Sequence, residues 1–66
     1  MTERVYGLKT DSKAYQLVNE AIDIVIEDNL GSAKVWLAEQ CRALRLKTWE
    51  QYAIGHCFIK LVEERL

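Results

Sequence analysis

The stretch from Ala14 to Glu27, AYQLVNEAIDIVIE, decides the fold. Ala14, Leu17, Val18, Ala21, Ile22 and Val25 recur at the three-and-four spacing of one helical face. The segment Ile22-Asp23-Ile24-Val25-Ile26-Glu27 also alternates like a strand and is β-branched, which favours strand pairing. Helix is the reading adopted, because the upstream pattern is long and continuous and a strand here lacks a partner. Ile24 and Ile26 then fall outside the buried stripe.

Working outward, Asp11 and Ser12 are both good N-caps, so a first helix is predicted over about 12–29. Asp28-Asn29-Leu30-Gly31 reads as its stop, with Gly31 taking the left-handed position after the helix. Ser32 is the predicted cap of a second helix over 32–46. Its apolar stripe is Ala33, Leu37, Cys41 and Leu44, and its basic end is Arg42, Arg45 and Lys47. Thr48-Trp49-Glu50-Gln51 fits a capping box with Thr48 at N-cap and Gln51 at N3, opening a third helix over 48–65. There Ile54, Cys57, Phe58, Leu61 and Val62 form one stripe, while Trp49, Ala53, His56 and Ile59 lie mostly off it. That arc is wider than packing on one neighbour requires. Residues 1–10 read as a short irregular arm, since a lone strand at Val5-Tyr6-Gly7-Leu8 has no partner within the chain. The expected fold is all-α: a single three-helix domain over 1–66 with an N-terminal arm.

Composition narrows the function. Half of the 66 residues are apolar and 29% are charged, a globular balance. A net charge of −1 argues against a broadly basic nucleic-acid binder. No apolar run reaches the roughly 18 residues of a membrane span, and the start Met1-Thr2-Glu3-Arg4 lacks a secretory h-region. Cys41 and Cys57 are therefore read as free thiols in a reducing cytoplasm. Charge is uneven: residues 11–30 carry one Lys and five Asp/Glu, net −4, whereas residues 31–66 carry six Lys/Arg and four Glu, net +2.

Catalytic chemistry finds little footing. The chain has one histidine and no Gly-rich phosphate loop, HExxH or nucleophile elbow. His56 cannot serve its neighbour Cys57 as a base on one helix, because adjacent side chains point about 100° apart. Zinc asks for four ligands in close pairs, and Cys41, His56 and Cys57 offer no such spacing. No enzyme activity, metal or cofactor is predicted.

Two short helices meeting at Arg45-Leu46-Lys47 invite comparison with a helix-turn-helix. Cys41, Leu44, Leu46 and Ile54 fit its small and apolar slots. Gln40 and Gln51 occupy slots that should be buried, and Arg45 stands where glycine is usual. Arg42, Arg45 and Lys47 are the candidate phosphate contacts, but Glu50 opens the would-be recognition helix. A tetratricopeptide-type pairing fails as well: Trp36 and Trp49 have the right separation, yet Gln40 and Tyr52 stand where small residues are needed.

What remains is surface for association. Trp36 and Trp49 lie near the start of the second and third helices, and tryptophan is enriched at interfaces. Ile24, Ile26 and Ile59 are apolar positions that a three-helix monomer does not obviously cover. Chains of this length are often supported by a partner subunit. The sequence thus predicts a non-enzymatic interaction module of adaptor, inhibitor or regulatory-subunit type. It is expected to be homodimeric and to bind a protein partner through Ile24, Ile26, Trp36, Trp49 and Ile59. A dimeric helix-turn-helix DNA-binding regulator is the alternative.

Overall fold

The computed structural model describes residues 3–66 and consists of a small hairpin followed by three helices. Strands β1 (Arg4–Val5) and β2 (Leu8–Lys9) pair antiparallel, and α1 (Lys13–Glu27), α2 (Leu30–Ala43) and α3 (Thr48–Arg65) follow. The three-helix reading holds, and the Ile22 to Glu27 stretch is helical throughout.

The arm is corrected. Its positions 1 and 2 lie outside the described residues, but from Glu3 to Thr10 the chain pairs with itself. Tyr6 and Gly7 both take positive φ, 49° and 88°, which closes a two-residue turn of the twist that hairpins need. Arg4 then faces Lys9 and Val5 faces Leu8, and the Thr10 amide donates to the Glu3 carbonyl at 3.0 Å. Leu8 is buried and Val5 packs against the core, so the hairpin is seated on the helices.

Ser12 caps α1 as predicted, its hydroxyl accepting from the Tyr15 amide at 3.2 Å. The junction with α2 differs from the sequence reading. Asn29 is extended, and its side-chain oxygen accepts from the Ser32 amide at 2.8 Å. Asn29 is therefore the N-cap of α2, Ser32 its third residue, and Gly31 lies inside the helix. A Cβ at Gly31 would come 3.2 Å from that same Asn29 oxygen, so glycine leaves the cap its room. α1 accordingly ends at Glu27 and not near Asn29.

α2 stops at Ala43, short of the expected Leu46. The Arg45 amide donates to the Arg42 carbonyl at 3.1 Å and the Leu46 amide to the Cys41 carbonyl at 3.1 Å, the paired bonds of a Schellman ending. Its left-handed position belongs to Arg45, with φ 53°, where glycine would rest without strain. α3 begins at Thr48 as expected, but its cap is Lys47. The Glu50 carboxylate accepts from the Lys47 amide at 3.2 Å. Lysine has no acceptor to return the bond, so one half of the box forms, and Gln51 instead donates to the Leu46 carbonyl at 2.9 Å.

α1 is the hub. It packs on both α2 and α3, while those two approach each other only marginally. Leu17, Val18, Ala21 and Ile22 of α1 meet Ala33, Leu37 and Cys41 of α2 and Ile54, Cys57, Phe58 and Leu61 of α3 in one core, which Leu8 completes.

Two substitutions report on these ends. Asn29→Ala removes the α2 cap and is expected to cost about 1 kcal/mol in urea unfolding. Arg45→Gly relieves the left-handed residue and is expected to add about 1 kcal/mol. A neutral or destabilising Arg45→Gly would show that the turn is not strained there.

Candidate functional site

Because α2 and α3 both lean on α1 and barely on each other, a groove of about 280 Å³ opens between them. Its floor is apolar and buried: Leu37 and Cys41 from α2, Ile54 and Phe58 from α3. The rest of its lining is Ala38, Gly55 and Ile59, with Lys34 and Gln51 supplying polarity. Ile59 stays 40% exposed although it lines this groove. Nothing in the lining offers a nucleophile beside a base. What the groove offers is apolar surface at low desolvation cost.

The sequence candidates do not form one patch. Ile24 and Trp36 are half-buried and packed against the core. Ile26 is 63% exposed on α1 and lines neither groove. Trp49 is 67% exposed and lines a second groove of about 250 Å³, between the hairpin and the first turns of α3, together with Leu8, Lys9 and Ala53. Ile59 alone borders the α2–α3 groove. Tyr52, 76% exposed, and Gly55 were not singled out by the sequence reading, although their spacing from Ile59, seven and four residues, would have revealed a second face of α3.

Arg42, Arg45 and Lys47 are all exposed around the turn between α2 and α3. Arg42 lies in the last turn of α2, where the helix dipole favours its charge. The exposed residues of α3 beyond this turn are Thr48, Trp49, Gln51, Tyr52, His56, Ile59, Glu63, Glu64 and Arg65, a mixed surface in which three are large and apolar or aromatic.

The cysteines are free and buried. Burial pushes both thiols above their ordinary range, with Arg65 partly offsetting the effect at Cys57. The Cys57 thiol donates to the Val5 carbonyl at 3.5 Å and so holds the hairpin to α3. His56, the only histidine, is exposed and meets the Tyr6 ring edge-on, with centroids 6.1 Å apart. On the same side Tyr6 donates its hydroxyl proton to the Glu64 carboxylate. Among the described residues, no three His, Cys, Asp or Glu side chains gather as a metal site would require. Nor is any helix there long and apolar enough to cross a membrane.

No protein-family model, no curated protein and no solved structure matches the chain.

The thiols set a pH dependence with a definite sign. A folded-state thiol pKa above the unfolded one means that the native state holds its proton longer. Stability is therefore full below about pH 8.5 and declines as the pH rises through the interval between the two values. Urea midpoints measured from pH 7 to pH 10 are expected to fall in that upper range. Replacement of both cysteines by alanine should flatten the fall; an unchanged slope would assign it elsewhere.

Proposed function

We propose that this protein is a non-enzymatic interaction module that works by docking apolar helix surface onto another protein. The observation that carries this reading is the α2–α3 groove, apolar along its floor and bordered by exposed Ile59. In a chain of 66 residues, leaving such surface uncovered forgoes burial that a small core can ill spare. Leu, Ile or Phe side chains of a partner helix entering the groove would each gain about 1.5–3 kcal/mol of burial. Selectivity would come from the polar groups at its edges, Lys34 and Gln51. Free, buried cysteines agree with a cytoplasmic, reducing setting, which is part of the proposal.

The DNA-binding reading keeps one observation in its favour, the exposure of Arg42, Arg45 and Lys47 around a short turn between helices. It is the weaker reading, because Glu50 stands in the first turn of α3 beside the basic cluster, where it would oppose a polyanion.

A pull-down from source-cell extract compares the wild type with Ile59→Asp and with Arg42→Glu/Lys47→Glu. The proposal expects a partner protein that is retained by the wild type and by the basic-cluster variant but lost at least tenfold on Ile59→Asp, with helicity unchanged. Retention insensitive to Ile59, or duplex DNA binding that falls steeply with salt and disappears in the basic-cluster variant, would overturn it.

A further inference from the structure

The hairpin is built against local preference at three points. Its strands hold two residues each, too few to stand alone in water. Tyr6 takes the left-handed conformation, φ 49°, that side chains other than Asn and Asp avoid. Arg4 stands directly opposite Lys9, and like charges at facing positions of a strand pair repel.

Its fastenings lie to one side. Toward the later turns of α3, the Val5 carbonyl accepts from the Cys57 thiol at 3.5 Å, and a thiol is a weak donor. Tyr6 donates to the Glu64 carboxylate and meets His56 edge-on. Toward the first turns of α3 the hairpin is not closed down, and the groove of about 250 Å³ lies between Gly7, Leu8 and Lys9 and the side chains of Trp49 and Ala53. The base is tied: the Ser12 hydroxyl and amide both donate to the Lys9 carbonyl, at 2.6 and 3.0 Å. The helices lean on the hairpin far less than it leans on them. Among the described residues Leu8 is the only buried core side chain that the hairpin supplies, and every other comes from α1, α2 or α3.

We infer that the hairpin is a releasable strap. It swings off α3 as one unit about its base at residues 9–12 while the three helices stay folded, and it thereby uncovers Cys57 and parts Tyr6 from Glu64 and His56. The case is an imbalance. Global unfolding gives up the whole core, whereas release gives up Leu8, part of Val5, one weak thiol bond and one bond to an exposed carboxylate. Release also relieves Tyr6 of its left-handed backbone and separates Arg4 from Lys9. Segments with few buried apolar contacts are the ones that open locally, below the cost of unfolding the domain. Cys57 reports the motion, because it has no exposed surface while the strap is down.

Alkylation of the folded full chain by iodoacetamide, at urea concentrations below the unfolding transition and with the modified cysteine identified by peptide mass, tests this. Cys57 is expected to react at a rate that hardly changes with urea, since that slope follows the surface exposed by the opening that admits the reagent. Tyr6→Phe removes only the hydroxyl bonded to Glu64 and is expected to speed the reaction about threefold or more. Leu8→Ala is expected to speed it about tenfold or more. Asn29→Ala weakens the fold from the opposite end of α1 and is expected to leave the Cys57 rate unchanged, whereas reaction through global unfolding would accelerate about fivefold. A Cys57 rate that climbs with urea as steeply as global unfolding, or that rises in Asn29→Ala, overturns the inference. So does a rate indifferent to Tyr6→Phe and Leu8→Ala alike, which places the opening elsewhere. Should Leu8→Ala fail to fold, Tyr6→Phe and the urea slope decide between these outcomes.

Discussion

Everything in this small fold depends on the apolar stripe of α1. Leu17, Val18, Ala21 and Ile22 are almost completely removed from solvent, and large side chains of this kind contribute about 1.5–3 kcal/mol each when buried. α2 and α3 both take their cover from that stripe and give each other little. With α1 carrying the contacts of both, the space between α2 and α3 is left open. The groove between α2 and α3 is therefore a consequence of how the core is organised. The same arrangement explains why α3 turns an apolar face outward: its inner face is consumed by α1, and no fourth helix exists among the described residues to cover the outer one.

The hairpin completes the core from the other side. Leu8 plugs the edge between α1 and α3, the Cys57 thiol donates to the Val5 carbonyl, and Tyr6 reaches Glu64 and His56. Two paired residues per strand are too few to stand alone in water, so the hairpin exists because the helices hold it. Its placement also divides the surface of α3. The side beside the hairpin holds Trp49 and Ala53, and the side toward α2 holds Gly55 and Ile59.

How far the sequence could be read follows from where each piece of information lies. The α1 stripe and the Ser12 cap were legible because periodicity and a capping hydroxyl are local signals. The hairpin was not, since its turn puts Tyr6 at positive φ, a position usually taken by Asn, Asp or Gly. Gly31 read as a helix stop because glycine so often is one, yet Asn29, two residues earlier, had the side chain to begin the next helix. Arg45 read as a misfit for the turn, and the chain nevertheless gives it the glycine conformation. Of the five association candidates, Trp36 and Trp49 were chosen by residue type and Ile24, Ile26 and Ile59 as apolar residues off the core stripe. That rule cannot distinguish Ile24, which leans inward, from Ile59, which borders a groove, because the difference depends on where α2 lies.

Arg45 and Gly55 depart from local preference in opposite ways, and the contrast bears on function. Arg45 holds a side chain in a conformation that costs about 1–2 kcal/mol for any residue but glycine. Gly55 forgoes a side chain in a helix where alanine would be better by about 1 kcal/mol. Exchanging the two preferences would stabilise the chain locally at both places, so neither residue is accounted for by local backbone preference. Both lie around the same edge of the molecule, Arg45 at the turn that leads into α3 and Gly55 two helical turns further along it. Local rules are most often broken where a surface must accept something else. At this edge the first departure fixes the Arg45 backbone at the turn into α3, and the second leaves Gly55 without a side chain in the lining of the α2–α3 groove. Ile26, exposed on α1 and bordering neither groove, has no such departure beside it.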